Sequence, residues 1–538
     1  MSDSINKRLH RTPNKTYPKV RFSEQSTQLQ LTREERSEYI KCYFDFVHPV
    51  FPFLVQKEFE EQASDPELDL VLEQDAPFFV LYHAVLAIGS QYKGHGSFDA
   101  GRGRSWHLFQ AALGRFHELK GPRLGLVTIQ FLFAMTPSGS QIAETQLSEA
   151  ARMAQFARLN KGSAGAAEGA HQRTFWVIYS VEKLSCFTQG RTSVISDDDI
   201  GCHIPDVPEA VFGDFNWFLS SVRFGRLLSK AQTKLFSVSA TMKSKNEYWQ
   251  DLQGINDDLE TWRMSVPSNF RPRESFTRAR FGSLASVVVA LRTHLVYHNM
   301  VMVLCRLRLK VAETTSSAYL SQCRENFMSS ARQVIELTAH LEVEPYTPSL
   351  LLSAVPLSAF LSLFQLVINN PTHVQTQDNV TFLQVAAGYF RRLEYATKHV
   401  FPYSILPTLA ALAQEFVQRL SNPQDASFMR NELLKSPDDN PAAGPGLGTQ
   451  MTPLLGLLAG PTGSSQANEN FDSTFNEANG ANGANGANAL ESLSTVLEDT
   501  EFSDAGSQAL QGNEIMQFFG TFSDEMCDPM HDTYFGWQ

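Results

Sequence analysis

The chain reads as an all-α protein, a large helical bundle or array between a disordered basic N-terminal arm and a disordered acidic C-terminal tail. Between about residues 32 and 420, apolar side chains recur at the three-to-four spacing of an amphipathic helix, and the alternation of a half-buried strand is nearly missing. With 538 residues, 43% of them apolar and 19% charged, there is chain enough for a large buried core. Charge is divided unevenly. After Lys435 there is no Lys or Arg, so the last 103 residues carry −15 against a net −12, which leaves everything before them near +3.

Residues 1–31 form the basic arm. Up to Ser23, Lys7, Arg8, Arg11, Lys15, Lys19 and Arg21 stand against the single acid Asp3, with two prolines and almost no apolar periodicity. The helical body follows over 32–425. Its spacing predicts helices at 33–47, 77–92, 104–119, 124–135, 140–158, 171–188, 216–241, 247–264, 277–309, 320–342, 348–368, 380–398 and 405–420. Several ends are readable. Thr32 caps the first helix with Glu35 at the capping-box position, Ser140 precedes the amphipathic run Ile142 to Leu159, and Gly190 closes 171–188 as a residue able to turn left-handed. Leu350 to Ile368, which has no charge, and Pro77 to Gly89 are apolar enough to raise a membrane reading. The first holds Pro356 and Gln365 and the second His83, so both are read as buried helices and no membrane is expected as a partner.

Residues 426–490 turn to Pro, Gly, Asn, Ser and Ala, with tandem Ala-Asn-Gly triplets over 478–486. Such a segment buries too little apolar surface to offset its ordering entropy, and a flexible linker is expected. Residues 491–538 bring back large hydrophobes interleaved with acids only, the composition of an amphipathic disordered activation segment. Within it Ile515, Phe518, Phe519 and Phe522 share one face of a short helix, suited to a partner's groove.

The search for catalytic and metal motifs is mainly negative. The cysteines at 42, 186, 202, 305, 323 and 527 form no CxxC, and with no apolar signal segment near Met1 they read as reduced intracellular thiols. HExxH, GxSxG and the phosphate-binding Gly-Lys-Ser/Thr loop are absent. The cluster Gly94, Gly96, Gly101 and Gly103 has Asp99 at the third glycine position of a dinucleotide loop and no βαβ pattern around it, so it reads as a surface loop. Asp197, Asp198 and Asp199 are consecutive, which points their carboxylates about 100° apart on a helix and away from a common ion. His48, His83, His171 and His203 lack the short spacing of zinc ligands. No catalytic residue, metal or cofactor is expected.

The informative stretch is 171–205. Arg173, Trp176, Tyr179 and Lys183 follow one another at +3, +3 and +4, one helix face, and Ile195, Ile200, Ile204 and Pro205 would dock the loop beyond Gly190. This stretch resembles the middle homology region of fungal binuclear zinc-cluster transcription factors. The matching residues are Arg173, Trp176, Tyr179, Ser185, Gly190, Arg191, Ile195, Asp199, Ile200 and Pro205. Glu182-Lys183 stands where that family has Asp-Arg, and Thr192 where it usually has Pro. Two further blocks agree: the aromatic run from Tyr43 and Phe44 through His48 to Phe53, with Phe59 after it, and the small-residue helix with Ala150, Ala151, Ala154 and Ala157. All of these residues are read as fold determinants, not as a ligand or DNA site.

The family's DNA-reading module holds zinc with six closely spaced cysteines. This sequence has none in its first forty-one residues, so the zinc cluster is expected to be absent from it. The resemblance implies a nuclear transcription regulator, a pathway-specific activator of a metabolic or secondary-metabolite gene set. The implied partners are coactivators at the tail, DNA met weakly through the basic arm or indirectly, and a second copy or a zinc-cluster protein. The competing reading is an α-helical enzyme or small-molecule-binding protein.

Overall fold

A computed structural model describes residues 31–98, 102–119, 125–134, 143–161, 168–311, 317–398 and 403–421. The basic arm with Lys7 to Arg21, the linker, and the tail with Ile515, Phe518, Phe519 and Phe522 lie outside the described residues. The described residues form fifteen α-helices and one small β-ribbon, so the all-α class that the periodicity predicts holds, with two more helices than the thirteen it places.

Helix α1 (Arg33–Cys42) opens on the expected capping box, with Thr32 Oγ1 accepting from Glu35 N at 3.1 Å and the Glu35 carboxylate accepting from Thr32 N at 2.9 Å. Two helices that periodicity misses come next, α2 (Gln56–Ala63) and α3 (Leu68–Gln74). Each buries a single side chain, Phe59 or Leu72, too few to show a repeat. Helix α4 (Ala76–Ser90) starts on Asp75, whose carboxylate accepts from Phe78 N at 2.9 Å, and is buried on nearly every face. It packs against α1, α5 (Arg104–Gly114) and α6 (Leu126–Ala134), so the apolar Pro77 to Gly89 run is core.

Helices α7 (Ala143–Phe156) and α8 (Glu168–Thr188) follow, then the ribbon of β1 (Val211–Phe212) and β2 (Phe215–Asn216), paired antiparallel with Val211 opposite Asn216. Helix α9 (Trp217–Ala231) ends ten residues before the 216–241 reading, because the chain leaves helix by Ser237, whose hydroxyl caps a new short turn at Ala240 N. Beyond α10 (Lys245–Ser265), α11 (Leu284–Val311) begins later than 277, where Ser283 and Ser286 bond each other's backbone N–H at 3.1 Å. The remaining helices are α12 (Ser317–Leu337), α13 (Val355–Asn369), α14 (Thr376–Ala396) and α15 (Leu406–Ser421).

The chain divides into two compact units. The larger holds the described residues up to Leu363 together with Thr381 to Thr408, and its core is built on α4 and α11. The smaller holds Phe364 to Val380 and the described residues from Leu409 onward. There Leu409, Ala413, Phe416 and Val417 form the buried stripe of α15. Among the described residues the helices at Leu284–Val311 and Leu350–Asn369 are long and apolar enough to cross a membrane, but 89% and 72% of their apolar windows are buried inside the protein.

Candidate functional site

Helix α8 carries Arg173, Trp176, Tyr179, Glu182 and Lys183, and the chain that follows folds back across it. The helix stops at Gly190, whose φ of +65° is the left-handed conformation expected there. Gly190 N donates to Phe187 O and Arg191 N to Cys186 O at 2.9 Å, the paired bonds of a Schellman cap. The reversal this produces lays residues 191–210 along the helix.

Each polar side chain on that face then takes hold of the returning strand. Trp176 is fully buried and donates through Nε1 to His203 O at 2.8 Å, with the Arg226 guanidinium 5.2 Å from its ring centre. Tyr179 OH donates to both carboxylate oxygens of Asp197, at 3.0 and 3.1 Å. Burial, reinforced by Asp197, raises the Tyr179 phenol far above its ordinary range, so it stays a donor. Lys183 donates to Ile195 O at 2.5 Å and lies 3.3 Å from Asp197. Glu182 is buried and accepts from Val194 N and Ser193 Oγ, each at 2.8 Å. Beside it, burial and the Glu182 carboxylate push the Cys186 thiol up to about 12, which leaves it protonated and inert at neutral pH.

At the start of the helix, Arg173 donates to Leu54 O at 2.8 Å and to Glu209 at 2.6 Å. His48 Nε2 lies 3.5 Å from the same carboxylate, and burial holds its imidazole below the usual range, hence neutral. His48 and Arg173 together hold the Glu209 carboxyl down to about 2. A carboxyl that ionises near 4.5 unfolded and near 2 folded stabilises the native state above pH 4.5 and loses that contribution as pH falls toward 2. Glu209→Gln is therefore expected to lower the unfolding free energy at pH 7 by about 1–2 kcal/mol, a figure reduced for partial exposure, with the gap to wild type closing near pH 2. Urea titrations at pH 7, 4 and 2.5 test this, and a gap independent of pH would refute the linkage.

Of the other residues singled out from sequence, Ile195 is buried, Ile200 and Pro205 are half-buried along the loop, and Arg191 is exposed. Asp199 is exposed beside Lys161 at 3.4 Å, and its carbonyl accepts from Asn160 Nδ2 at 2.8 Å. The three aspartates form one short 3₁₀ turn, but Asp197 does more than turn the chain. It gathers Tyr179, Lys183 and Ser229, the last at 3.0 Å, and sequence reasoning passed over it in favour of Asp199. Glu209 was missed as well. The aromatic block is core, with Tyr43, Phe44, His48, Phe53 and Phe59 buried, and Ala150, Ala151 and Ala154 are fully covered on α7, whereas Ala157 lies past its end. The arrangement is a brace, in which cations and carboxylates are used on one another and on backbone carbonyls.

A family profile matches residues 40–264, from the last turn of α1 through α10. The profile is that of the fungal specific transcription factor domain, and this stretch is similar to it. The signature helix α8, residues 191–210 that fold back along it, and the aromatic block all fall inside that match. The chain is 25% identical over 392 residues, 65% of its own length, to an ABC-transporter-regulating transcription factor of Aspergillus fumigatus, and 24% identical over 66% of its length to one of Aspergillus oryzae. It is 27% identical over 33% of its length to a fumonisin cluster-specific transcription factor of Gibberella moniliformis. These names are those of transcription regulators, not of enzymes. The matched stretches cover 42%, 43% and 28% of those relatives, so the chain spans less than half of each. No solved structure matches it.

Proposed function

We propose that the chain is a nuclear transcription regulator, and within that class a pathway-specific activator of a metabolic or secondary-metabolite gene set. The observation that carries this reading is the match to the fungal specific transcription factor domain over 40–264, beside the likeness to relatives named an ABC-transporter-regulating and a fumonisin cluster-specific transcription factor. In this reading the helical body is the regulatory scaffold and residues 491–538 recruit coactivators. Ten acids and no Lys or Arg keep that segment solvated, which leaves its hydrophobes available to a partner's groove.

Fusing residues 491–538 to an unrelated DNA-binding domain is expected to switch on a reporter, and replacing Phe518, Phe519 and Phe522 by Ala to abolish that output. A silent wild-type fusion would sink the activation reading. DNA contact in this reading comes from the basic arm or from a second chain, with no zinc held here. The purified 538-residue chain is thus expected to contain no stoichiometric zinc and to bind duplex DNA weakly and without sequence preference, its affinity falling steeply with salt. Nanomolar, sequence-specific binding at physiological salt by the chain alone would contradict it.

A further inference from the structure

In the middle of α11, Arg292 is 8% exposed and makes no hydrogen bond or ion pair with any described residue. The face of Phe51 lies over it, with the ring centre 5.1 Å from the guanidinium. This sets it apart from the braced cations of α8, where Lys183 has Ile195 O and Asp197, and Arg173 has Leu54 O and Glu209. A buried guanidinium keeps its charge, and an aromatic face compensates only part of the lost hydration.

Arg292 opens on a cavity of about 30 Å³ whose other walls include Val181, Leu184, Trp217, Phe224 and Trp262. Those walls offer no second donor. Trp217 Nε1 is committed to Val50 O and Trp262 Nε1 to Ser220 O, each at 3.0 Å. The hydroxyls of Ser180 and Ser221, also at the cavity, donate to carbonyls of their own helices, Trp176 O at 2.9 Å and Phe218 O at 2.8 Å. The site is therefore one planar, two-pronged cation in an otherwise apolar pocket. A fork of that shape matches a carboxylate, and the hydrocarbon walls match an alkyl chain. The volume has room for about two waters, which accepts a carboxylate head and requires the wall side chains to part for anything longer.

We propose that this cavity, between α8, α9 and α11, binds a short-chain aliphatic carboxylate of about two to four carbons, its carboxylate on Arg292 and its chain among Val181, Leu184 and the two indoles. The site does not depend on the chain's being a transcription regulator, and its test contains no reporter. Equilibrium dialysis of the full chain against labelled butyrate at pH 7.5 is expected to show saturable binding of one butyrate per chain. Excess sodium chloride or 1-butanol should fail to displace it. Arg292→Met, which keeps the apolar stem, should weaken binding by about tenfold or more. Val181→Phe, which leaves the charge in place and fills the pocket, should abolish it while the helical circular dichroism is retained. The proposal is overturned by absence of saturable binding to the wild type, by undiminished binding to either folded variant, or by displacement at low millimolar chloride, which would make the occupant an inorganic anion. If Arg292→Met does not fold, the Val181→Phe result decides alone.

Discussion

Replacing Trp176 by Ala is expected to lower the unfolding free energy by about 3–5 kcal/mol, the range for an aromatic side chain removed from a closed core. The indole is fully buried, packs edge-on against Phe175 and Tyr179 at centroid distances of 5.3 and 5.2 Å, and carries Arg226 near its ring. Truncation deletes that contact area, opens a cavity that the braced loop resists closing, and strips His203 O of its donor. Trp176→Phe separates the terms, since it restores most of the volume without the N–H and should cost about 1–2 kcal/mol. Because the indole ties α8 to the returning strand, the loop should loosen before the body melts. Trypsin cleavage after the exposed Arg191 is accordingly expected to speed up in Trp176→Ala under native conditions. An unchanged urea midpoint would mean that the indole contributes nothing to the core.

The same helix shows how far sequence reasoning reaches. Arg173, Trp176, Tyr179 and Lys183 could be placed on one face because helix geometry alone relates residues three and four apart, and Gly190 could be read as the stop because only the left-handed region demands glycine. What they hold was not legible. Asp197 lies 18 residues beyond Tyr179 and Glu209 36 beyond Arg173, and such distances are closed by a loop whose path is set by Asn160, by the Schellman reversal and by the packed aromatic block together. The run of three aspartates did carry a signal, since acids placed just after a helix with an exposed-looking Lys and Tyr are available partners, but spacing could not choose Asp197 over Asp199. In the fold, long apolar helices such as α4 and α11 were plain, whereas α2 and α3 were not, because one buried side chain per helix makes no period. Arg292 was hidden for the opposite reason. Within a strongly apolar run a single Arg reads as the solvent edge of the helix, and only the packing around Phe51 shows that it faces inward.

Gly89→Ala is expected to destabilise the body by about 3 kcal/mol or more, the upper end of the cost of overpacking, although the same change in an open helix interior stabilises by about 0.5–1 kcal/mol. Gly89 lies in the last turn of α4 where it passes α1. A methyl group built there would stand 1.9 Å from Tyr39 O and 2.7 Å from the Tyr39 carbonyl carbon. Both obstacles are backbone, so no rotamer relieves the clash and the two helices must separate. Separation has further consequences. Tyr39 OH is bonded to His95 Nδ1 at 2.8 Å and to Arg104 Nη1 at 3.1 Å, and Arg104 in turn pairs with Glu35 at 2.5 Å, so moving α1 strains a linked set of polar contacts along with the apolar crossing. Gly254→Ala supplies the internal control. It sits in the interior of α10, where an added methyl meets nothing within 4 Å, and it should raise stability by about 0.5–1 kcal/mol. Urea unfolding of the two variants side by side is therefore expected to move in opposite directions from wild type, and a Gly89→Ala protein as stable as Gly254→Ala would show that α1 and α4 do not cross as closely as 1.9 Å implies.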